Sequence, residues 1–358
     1  MGTTEYTLDN LTDIASIDPD GMLDRIRDFP SQIEAAWALV NRLSFPPDFG
    51  ERIANVLVLG MGGSAIGADL VAGVVRDNCR VPIVVHRGYS VPAWVDEETL
   101  VVASSYSGNT EETLSGWRAA LRRGAQCMAI TTGGKLAEAA REANAPLLLF
   151  DYKAQPRAAL GYSFTLFYGV LARLGLISDP TMHLRSAVAT LHAAGTAWEL
   201  DVPTEQNPAK QLALWYADAL PVIFGAEHLS AVARRWTTQV NENSKAWAVW
   251  AEMPELNHNI VVGLGQPEPV RQIVRVTQLR SKFYHERNKR RFDITGQLLD
   301  EAGVDWRDVE AVGHTPLAEM LWTIWLGDYV SYYLAVLYRT DPSPVEPINR
   351  LKASLARE

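Results

Sequence analysis

Cysteine is scarce in this chain. Its 358 residues include two cysteines, Cys79 and Cys127, and both lie in apolar stretches. Cysteines in such surroundings are typical of reduced core thiols rather than of a disulfide framework. Two thiols are also too few for the closed sulfur site that holds a structural zinc ion. We therefore expect no metal centre and a cytoplasmic location.

Positive charge is also in short supply. Lysine and arginine together number 33 against 42 aspartates and glutamates, which leaves a formal net charge of −9. Nucleic acids and anionic membrane surfaces attract proteins that carry an excess of lysine and arginine. We expect neither as a partner. Any phosphate group that the protein binds must then be held by a local, built site.

Long apolar runs are missing as well. The longest apolar region, residues 317–338, is interrupted by Glu319, Gly327 and Asp328, so it predicts a buried helix rather than a membrane span. Residues 1–20 are acidic and have no apolar centre. We therefore expect neither a signal peptide nor a transit peptide in them.

What the chain does contain is an alternation of apolar strands and helical patterns. With 47% hydrophobic and 21% charged residues over 358 positions, it has the composition of a globular protein and the length of two domains. Helical spacing in residues 21–43 predicts a helical lead-in. Strand patterns separated by helical ones then predict a parallel α/β sheet. The first five predicted strands lie at residues 56–59, 82–85, 100–103, 127–130 and 147–150.

The pattern restarts near residue 220. Residues 220–228 again take an apolar strand into a glycine and a helix, which indicates a degenerate internal repeat. Further strands are predicted at residues 260–264, 273–277 and 309–312, and helices at 284–302 and 316–338. We accordingly predict a helical N-terminal segment over residues 1–50, a first domain over 51–180 and a second over 205–358.

Two glycine and serine turns in the first half form a matched pair. Residues 56–67 and 104–113 each carry an apolar run that ends abruptly in glycine and serine. Backbone amides at a helix start, glycines that allow close approach and nearby hydroxyls are what a phosphate group requires. Ser105, Ser107 and Thr110 supply hydroxyls within six residues. The alternative is a pair of ordinary turns that cap helices.

Polar residues are concentrated again in the second half, at 241–245 and 252–259. Glu242 and His258 within them are candidates for a general base and a general acid, a combination that moves protons at a carbon next to a carbonyl. The alternative is a solvated loop with helix caps.

One arginine, Arg157, stands at the start of a helix directly after the fifth predicted strand. Ligands of open α/β sheets bind at the carboxyl ends of the strands, and a cation there could stabilise an enediolate. An ordinary surface arginine at a helix start is the alternative.

Taken together, these segments resemble the bifunctional phosphoglucose/phosphomannose isomerases, which are built from two sugar isomerase (SIS) domains. The match runs from about residue 50 to the C-terminus. The Ser-Tyr-Ser-Gly-Asn-Thr element marks SIS domains in general, whereas Glu-Leu-Asn-His-Asn is specific to this family. The matching segments are residues 60–67, 105–113, 156–161, 241–245, 254–259, 326–334 and 341–346.

The resemblance implies two flavodoxin-like, doubly wound parallel domains. It also implies an enzyme that interconverts glucose 6-phosphate and mannose 6-phosphate with fructose 6-phosphate through a cis-enediol, without cofactor or metal. A homodimer with its active site at the subunit interface is implied too. The residues that would bind the phosphate are Gly62, Gly63, Ser64, Ser105, Ser107 and Thr110.

Catalytic roles follow from the same resemblance. Arg157 would hold the enediolate, and Glu242 would carry the proton between C1 and C2. His258, reaching in from the partner subunit, would help to open the sugar ring, with Lys352 as its companion.

Three other functions stay open. Gly60, Gly62 and Ala65 fit the loose dinucleotide fingerprint of an oxidoreductase. However, the second strand ends in His86-Arg87 and lacks the acidic residue that a ribose hydroxyl requires, which disfavours NAD and leaves NADP. SIS domains also occur in non-catalytic sugar-phosphate sensors, which usually carry a DNA-binding domain. The N-terminal fifty residues are too short and too acidic for a helix-turn-helix with a basic face. An isomerase for a different sugar phosphate is the third.

Overall fold

The computed structural model describes residues 8–355, which form an α/β fold with a helical N-terminal region. The helices are α1 (Leu11–Ile17), α2 (Met22–Arg27), α3 (Phe29–Val40), α4 (Gly62–Val75), α5 (Glu111–Arg122), α6 (Gly134–Glu142), α7 (Leu160–Arg173), α8 (Thr181–Gly195), α9 (Pro208–Tyr216), α10 (Ser230–Asn243), α11 (Glu268–Ile273), α12 (Glu286–Ala302), α13 (Pro316–Leu337) and α14 (Glu346–Leu355). The strands are β1 (Asn55–Leu59), β2 (Ile83–His86), β3 (Thr99–Ser105), β4 (Gln126–Thr131), β5 (Leu147–Leu149), β6 (Leu220–Ala226), β7 (Val249–Met253), β8 (Val274–Arg280) and β9 (Asp305–Glu310).

The first sheet has five strands in the order β2-β1-β3-β4-β5, and every neighbouring pair is parallel. This is the doubly wound order of flavodoxin-like sheets. The chain turns from one half of the sheet to the other between β1 and β3, so the connections that leave these two strands diverge. A crevice therefore opens at their carboxyl ends, where Gly60 and Ser105 lie.

The second sheet repeats the arrangement with four parallel strands in the order β7-β6-β8-β9. If β6 is counted as strand 1 of this sheet, the order is 2-1-3-4, which is also the order of β1 to β4 in the first sheet. The predicted α/β class with two parallel sheets, and the internal repeat, are confirmed.

One predicted strand is wrong. Residues 260–264 do not form a strand, because Ile260–Gly263 make a 3₁₀ turn on the surface. The strand next to β6 is instead β7, which runs through Glu252 in a stretch that we interpreted as polar and loop-like. Residues 246–251 are an apolar run that leads into β7, but it lies between the two polar segments 241–245 and 252–259 and was grouped with them. As an edge strand, β7 keeps mostly exposed side chains.

The chain divides into two compact units. The first-sheet unit comprises Asp28–Thr190 and Gly313–Met320. The second-sheet unit comprises the described residues before Asp28, Leu191–Val312 and the described residues from Leu321 on. The helices before residue 50 are thus shared between the units, and the boundaries at residues 50, 180 and 205 stay a prediction. None of the helices within residues 8–355 combines the length and the apolar character that crossing a membrane requires.

Candidate functional site

The first glycine turn connects β1 to α4. Gly62, the first residue of α4, has a φ of +51°, a conformation that favours glycine. Met61 precedes it in an extended conformation, and among the residues that the structure describes no side chain caps the helix. Such an uncapped helix start is well suited to an anion, because its first amides and the helix dipole point toward it.

The second turn connects β3 to α5 and carries the three predicted hydroxyls. Ser105 is 1% exposed, and its Oγ lies 2.8 Å from the Oγ1 of Thr110. Ser107 is exposed, and its Oγ accepts a hydrogen bond of 3.2 Å from the amide of Asn109. Gly108 has a φ of +66°, and a Cβ there would lie 1.8 Å from a backbone oxygen of the neighbouring loop. The loop shape therefore depends on this glycine.

A hydrogen bond joins the two turns. The amide of Tyr106 donates to the Oγ of Ser64 over 3.0 Å, across the crevice between β1 and β3. A small cleft beside this bond is lined by Ser64, Tyr106, Pro156 and Ser163, among others. The structure thus places the six predicted phosphate ligands around one crevice of the first-sheet unit. Whether they bind a phosphate stays a prediction.

Arg157 lies in a third turn against the first. It belongs to the 3₁₀ turn Pro156–Ala159 and is 2% exposed, so its interpretation as an ordinary surface arginine is wrong. A Cβ on Gly63 would lie 2.8 Å from the carbonyl oxygen of Pro156 and 3.1 Å from the amide nitrogen of Arg157. The helix start of α4 and the arginine turn therefore touch, and glycine at position 63 is what lets them.

Sequence reasoning missed the residue that holds the arginine turn. The Nε2 of Gln32 donates to the carbonyl oxygen of Ala158 over 2.8 Å and to the hydroxyl of Tyr152 over 2.9 Å. Its Oε1 accepts from the amide of Gly161 over 3.0 Å. Gln32 is buried in α3, at a polar position on the otherwise apolar face of residues 21–43. That break in the apolar pattern is the signal that could have revealed it.

Sequence reasoning also missed the structural role of Tyr106. Its hydroxyl accepts from the amide of Ala154 over 2.9 Å and donates to the carbonyl oxygen of Tyr152. Its ring packs edge-on against Phe150, with ring centroids 6.1 Å apart. The serine loop is thereby tied to the segment that leads into the Arg157 turn.

Glu242 is placed in the second-sheet unit, in the last turn of α10, where it is half-buried. It therefore lies in a helix and not in the solvated loop of the alternative interpretation. The alternative interpretation also included a helix cap in this segment, and Lys245 provides one. Its Nζ donates to the carbonyl oxygens of Glu242 over 2.6 Å, Asn243 over 3.3 Å and Pro342 over 3.1 Å, which satisfies the end of the helix.

His258 and Lys352 lie on the surface of the second-sheet unit. His258 ends the 3₁₀ turn Glu255–His258 and is exposed. Asn257 anchors this turn, because its Nδ2 donates to the Oγ1 of Thr295 over 2.9 Å. Lys352 is exposed on α14, whose residues are all exposed. The roles assigned to these residues and to Glu242 stay predictions.

Comparison with known proteins identifies the family. A bifunctional phosphoglucose/phosphomannose isomerase of Caldicellulosiruptor bescii is 41% identical over 336 residues, which is 94% of this chain and 99% of that protein. The chain belongs to the bifunctional phosphoglucose/phosphomannose isomerase family. A second member, from Aquifex aeolicus, is 34% identical over 85% of this chain and 91% of its own length.

Other comparisons concern the C-terminal domain and the fold. Residues 205–355 match the family model described as the bacterial phospho-glucose isomerase C-terminal SIS domain. The C-terminal domain of a glucosamine-fructose-6-phosphate aminotransferase from Francisella tularensis has the same fold, with a TM-score of 0.71 at 17% identity over 91% of this chain and 99% of that one. So has the tagatose-6-phosphate ketose/aldose isomerase of Escherichia coli, with a TM-score of 0.65 at 15% identity over 90% and 94%. The predicted SIS fold is confirmed.

Proposed function

We propose that this protein interconverts glucose 6-phosphate and mannose 6-phosphate with fructose 6-phosphate. Membership of the family over 94% of the chain supports the reaction. The observation that carries the site is the meeting of the two hydroxyl and glycine turns with the Arg157 turn. The Ser64–Tyr106 hydrogen bond and the contact at Gly63 hold these turns together.

Binding begins at the phosphate. The hydroxyls of Ser64, Ser105, Ser107 and Thr110, together with the amides at the start of α4, hold the 6-phosphoryl oxygens. Hydroxyls and amides bind an anion without a net positive charge on the protein surface. This accounts for a phosphate ligand on a chain whose net charge is −9.

Ring opening follows. An acid near the ring oxygen protonates it while the hydroxyl on the anomeric carbon loses its proton, and the C1 aldehyde forms. His258 supplies this acid, with Lys352 as its companion. Both are exposed, as groups that serve a neighbouring subunit must be. We propose a homodimer on this basis, which sedimentation velocity would test. The cytoplasmic location also stays a prediction.

Glu242 then moves the proton. Its carboxylate takes the proton from C2, the C1 carbonyl oxygen becomes an enediolate oxygen, and Arg157 stabilises the negative charge that develops. Return of the proton to C1, with proton shifts between the two oxygens, gives the ketose. Glucose and mannose phosphates differ only at C2, so both reach one planar enediol. This chemistry requires no metal or redox cofactor.

The decisive experiment is a proton-exchange NMR panel of hexose 6-phosphates in deuterated water. We expect deuterium at C2 of glucose and mannose 6-phosphates and formation of fructose 6-phosphate. Glucosamine 6-phosphate belongs in the panel, because a D-glucosamine-6-phosphate 4-epimerase of Sulfolobus acidocaldarius is 33% identical over 57% of this chain. Binding without exchange would favour the sensor, and exchange only in another sugar phosphate would favour the different isomerase. A change in nicotinamide fluorescence on mixing would favour the oxidoreductase.

Ser105→Ala tests the phosphate site. We expect KM for either aldose phosphate to rise about tenfold, with a smaller fall in kcat, because the phosphate is remote from the reacting carbons. Initial rates from a coupled assay for fructose 6-phosphate measure both constants. Ser115→Ala, in α5 but outside the loop, is the matched control. An unchanged KM for Ser105→Ala would remove Ser105 from the site.

A further inference from the structure

A stripe of buried polar residues runs along one face of α10. Arg235, Gln239 and Asn243 follow one another at intervals of four residues, which places them on one side of the helix. They are 1%, 2% and 0% exposed. α13 supplies the partners of this face in the second-sheet unit, namely Asp328 and Ser331, which are also buried.

The contacts fasten the two helices at two levels. The Nη2 of Arg235 donates to both carboxylate oxygens of Asp328, over 3.0 and 3.1 Å. Two turns further along α10, the Nδ2 of Asn243 donates to the Oγ of Ser331 over 2.9 Å. The Oγ of Ser244 donates to the backbone oxygen of Ser331 over 2.7 Å. We call these three contacts the α10–α13 latch.

Stability alone does not explain the latch. Burying an ion pair and amides between two helices costs desolvation energy, and apolar side chains of similar volume commonly stabilise such positions as well or better. Gln239 illustrates the cost, because its buried Oε1 has no hydrogen-bond partner within residues 8–355. What buried polar pairs add is specificity for one register between two helices, because a shifted register leaves them unpaired.

Packing beside the latch enforces the same register. A Cβ on Gly327 would lie 2.2 Å from the indole nitrogen of Trp236, which itself donates to the carbonyl oxygen of Thr323 over 2.9 Å. The Trp236 indole thus packs directly against Gly327, which is the single glycine of α13. A shift of α10 by one residue would break the latch and move Trp236 off this glycine.

Glu242 lies directly beside the latch residue Asn243, at the last turn of α10. We infer that the α10–α13 latch positions the Glu242 carboxylate for proton transfer, an inference that rests on the proposed function. Side chains reach about 5–6 Å from a helix axis, so a rotation of α10 by about 10° displaces the end of this side chain by about 1 Å. A displacement of about 1 Å at a reacting group can lower the rate by about 100-fold.

Ser331→Ala is the test variant, because it removes the hydroxyl that accepts the hydrogen bond from the Nδ2 of Asn243 and leaves the helix backbone intact. We expect kcat to fall about 10- to 100-fold while KM stays within about twofold, since the phosphate ligands lie on another sheet. Ser331→Thr, which keeps the hydroxyl, should restore most of the rate. Tyr216→Phe is the matched control, since it removes a buried hydrogen bond to Thr277 in the same unit and leaves every latch residue unchanged.

A second variant covers the case in which Ser331→Ala does not fold. The double substitution Arg235→Met with Asp328→Leu replaces the ion pair by apolar volume, so we expect an unchanged or higher Tm together with a lower kcat. If both variants keep kcat within about twofold of wild type while Glu242→Gln is inactive, the latch inference is overturned and the proposed function stands. If wild type itself shows no proton exchange with any hexose 6-phosphate, the function and the latch inference fail together.

Discussion

Glu242→Gln is expected to lower kcat by about 100-fold or more with little change in KM, the scale of a lost general base. Glutamine has the shape of glutamate but cannot accept the C2 proton. The variant should therefore still bind sugar phosphate, because the predicted phosphate ligands belong to the first sheet and not to α10. Initial rates with both aldose phosphates measure the effect, and deuterium entry at C2 measures the proton transfer itself.

The control for this prediction is Glu268→Gln. Glu268 is a glutamate of the same unit that forms a salt bridge of 3.4 Å with Arg271 on the surface. Its replacement removes the same charge, so a purely long-range electrostatic effect would appear in both variants. A near-wild-type rate for Glu242→Gln would take Glu242 out of the mechanism, and the latch would then have no catalytic group to position.

Local patterns predicted the first sheet well. The central strands β1, β3 and β4 are apolar runs that end at a polar or glycine residue, and burial of both faces of a parallel sheet produces that pattern. The edge strands β2 and β5 are apolar too, although they are less buried. The glycine and serine turns followed from the same reasoning, because the abrupt end of a buried strand fixes where a crevice must open. The order of the strands needed the structure, since it depends on pairing between distant segments.

The second sheet shows where this reasoning stops. Residues 246–251, which lead into β7, and residues 260–263, which form a surface turn, are both apolar runs with mostly exposed side chains. Apolar content therefore does not tell which of these neighbouring segments pairs with β6. The concentration of polar residues and the family motifs both singled out Glu242 and His258 in this region despite the misassigned strand.

Contacts between distant residues were the least predictable part of the site. Gln32 and Gly161 are far apart in sequence yet share a hydrogen bond that supports the Arg157 turn. Asn243 and Ser331 are related in the same way. A polar residue within an apolar helix face can be noticed from the sequence, but its partner cannot be named, because many polar groups elsewhere in the chain would satisfy it equally.

Gly63→Ala is expected to have the other large effect. Its Cβ would meet the carbonyl oxygen of Pro156 at 2.8 Å and the amide nitrogen of Arg157 at 3.1 Å, and backbone atoms cannot move aside as a flexible side chain can. The start of α4 and the arginine turn must then separate. Because one binds the phosphate and the other faces the enediolate in the proposed mechanism, we expect kcat/KM to fall by about 100-fold, through both constants.

Overpacking of this kind also destabilises the fold by about 1–3 kcal/mol, so a stability control is required. Gly124→Ala serves, because Gly124 lies in the same unit with a φ of +75° and its Cβ would meet nothing within 4 Å. Alanine in that conformation costs about 1 kcal/mol, which lowers Tm without displacing either turn. If Gly63→Ala lost no more activity than Gly124→Ala at equal Tm loss, contact between the two turns would not matter for catalysis. A loss of kcat/KM confined to Gly63→Ala would tie the phosphate turn and Arg157 to one site.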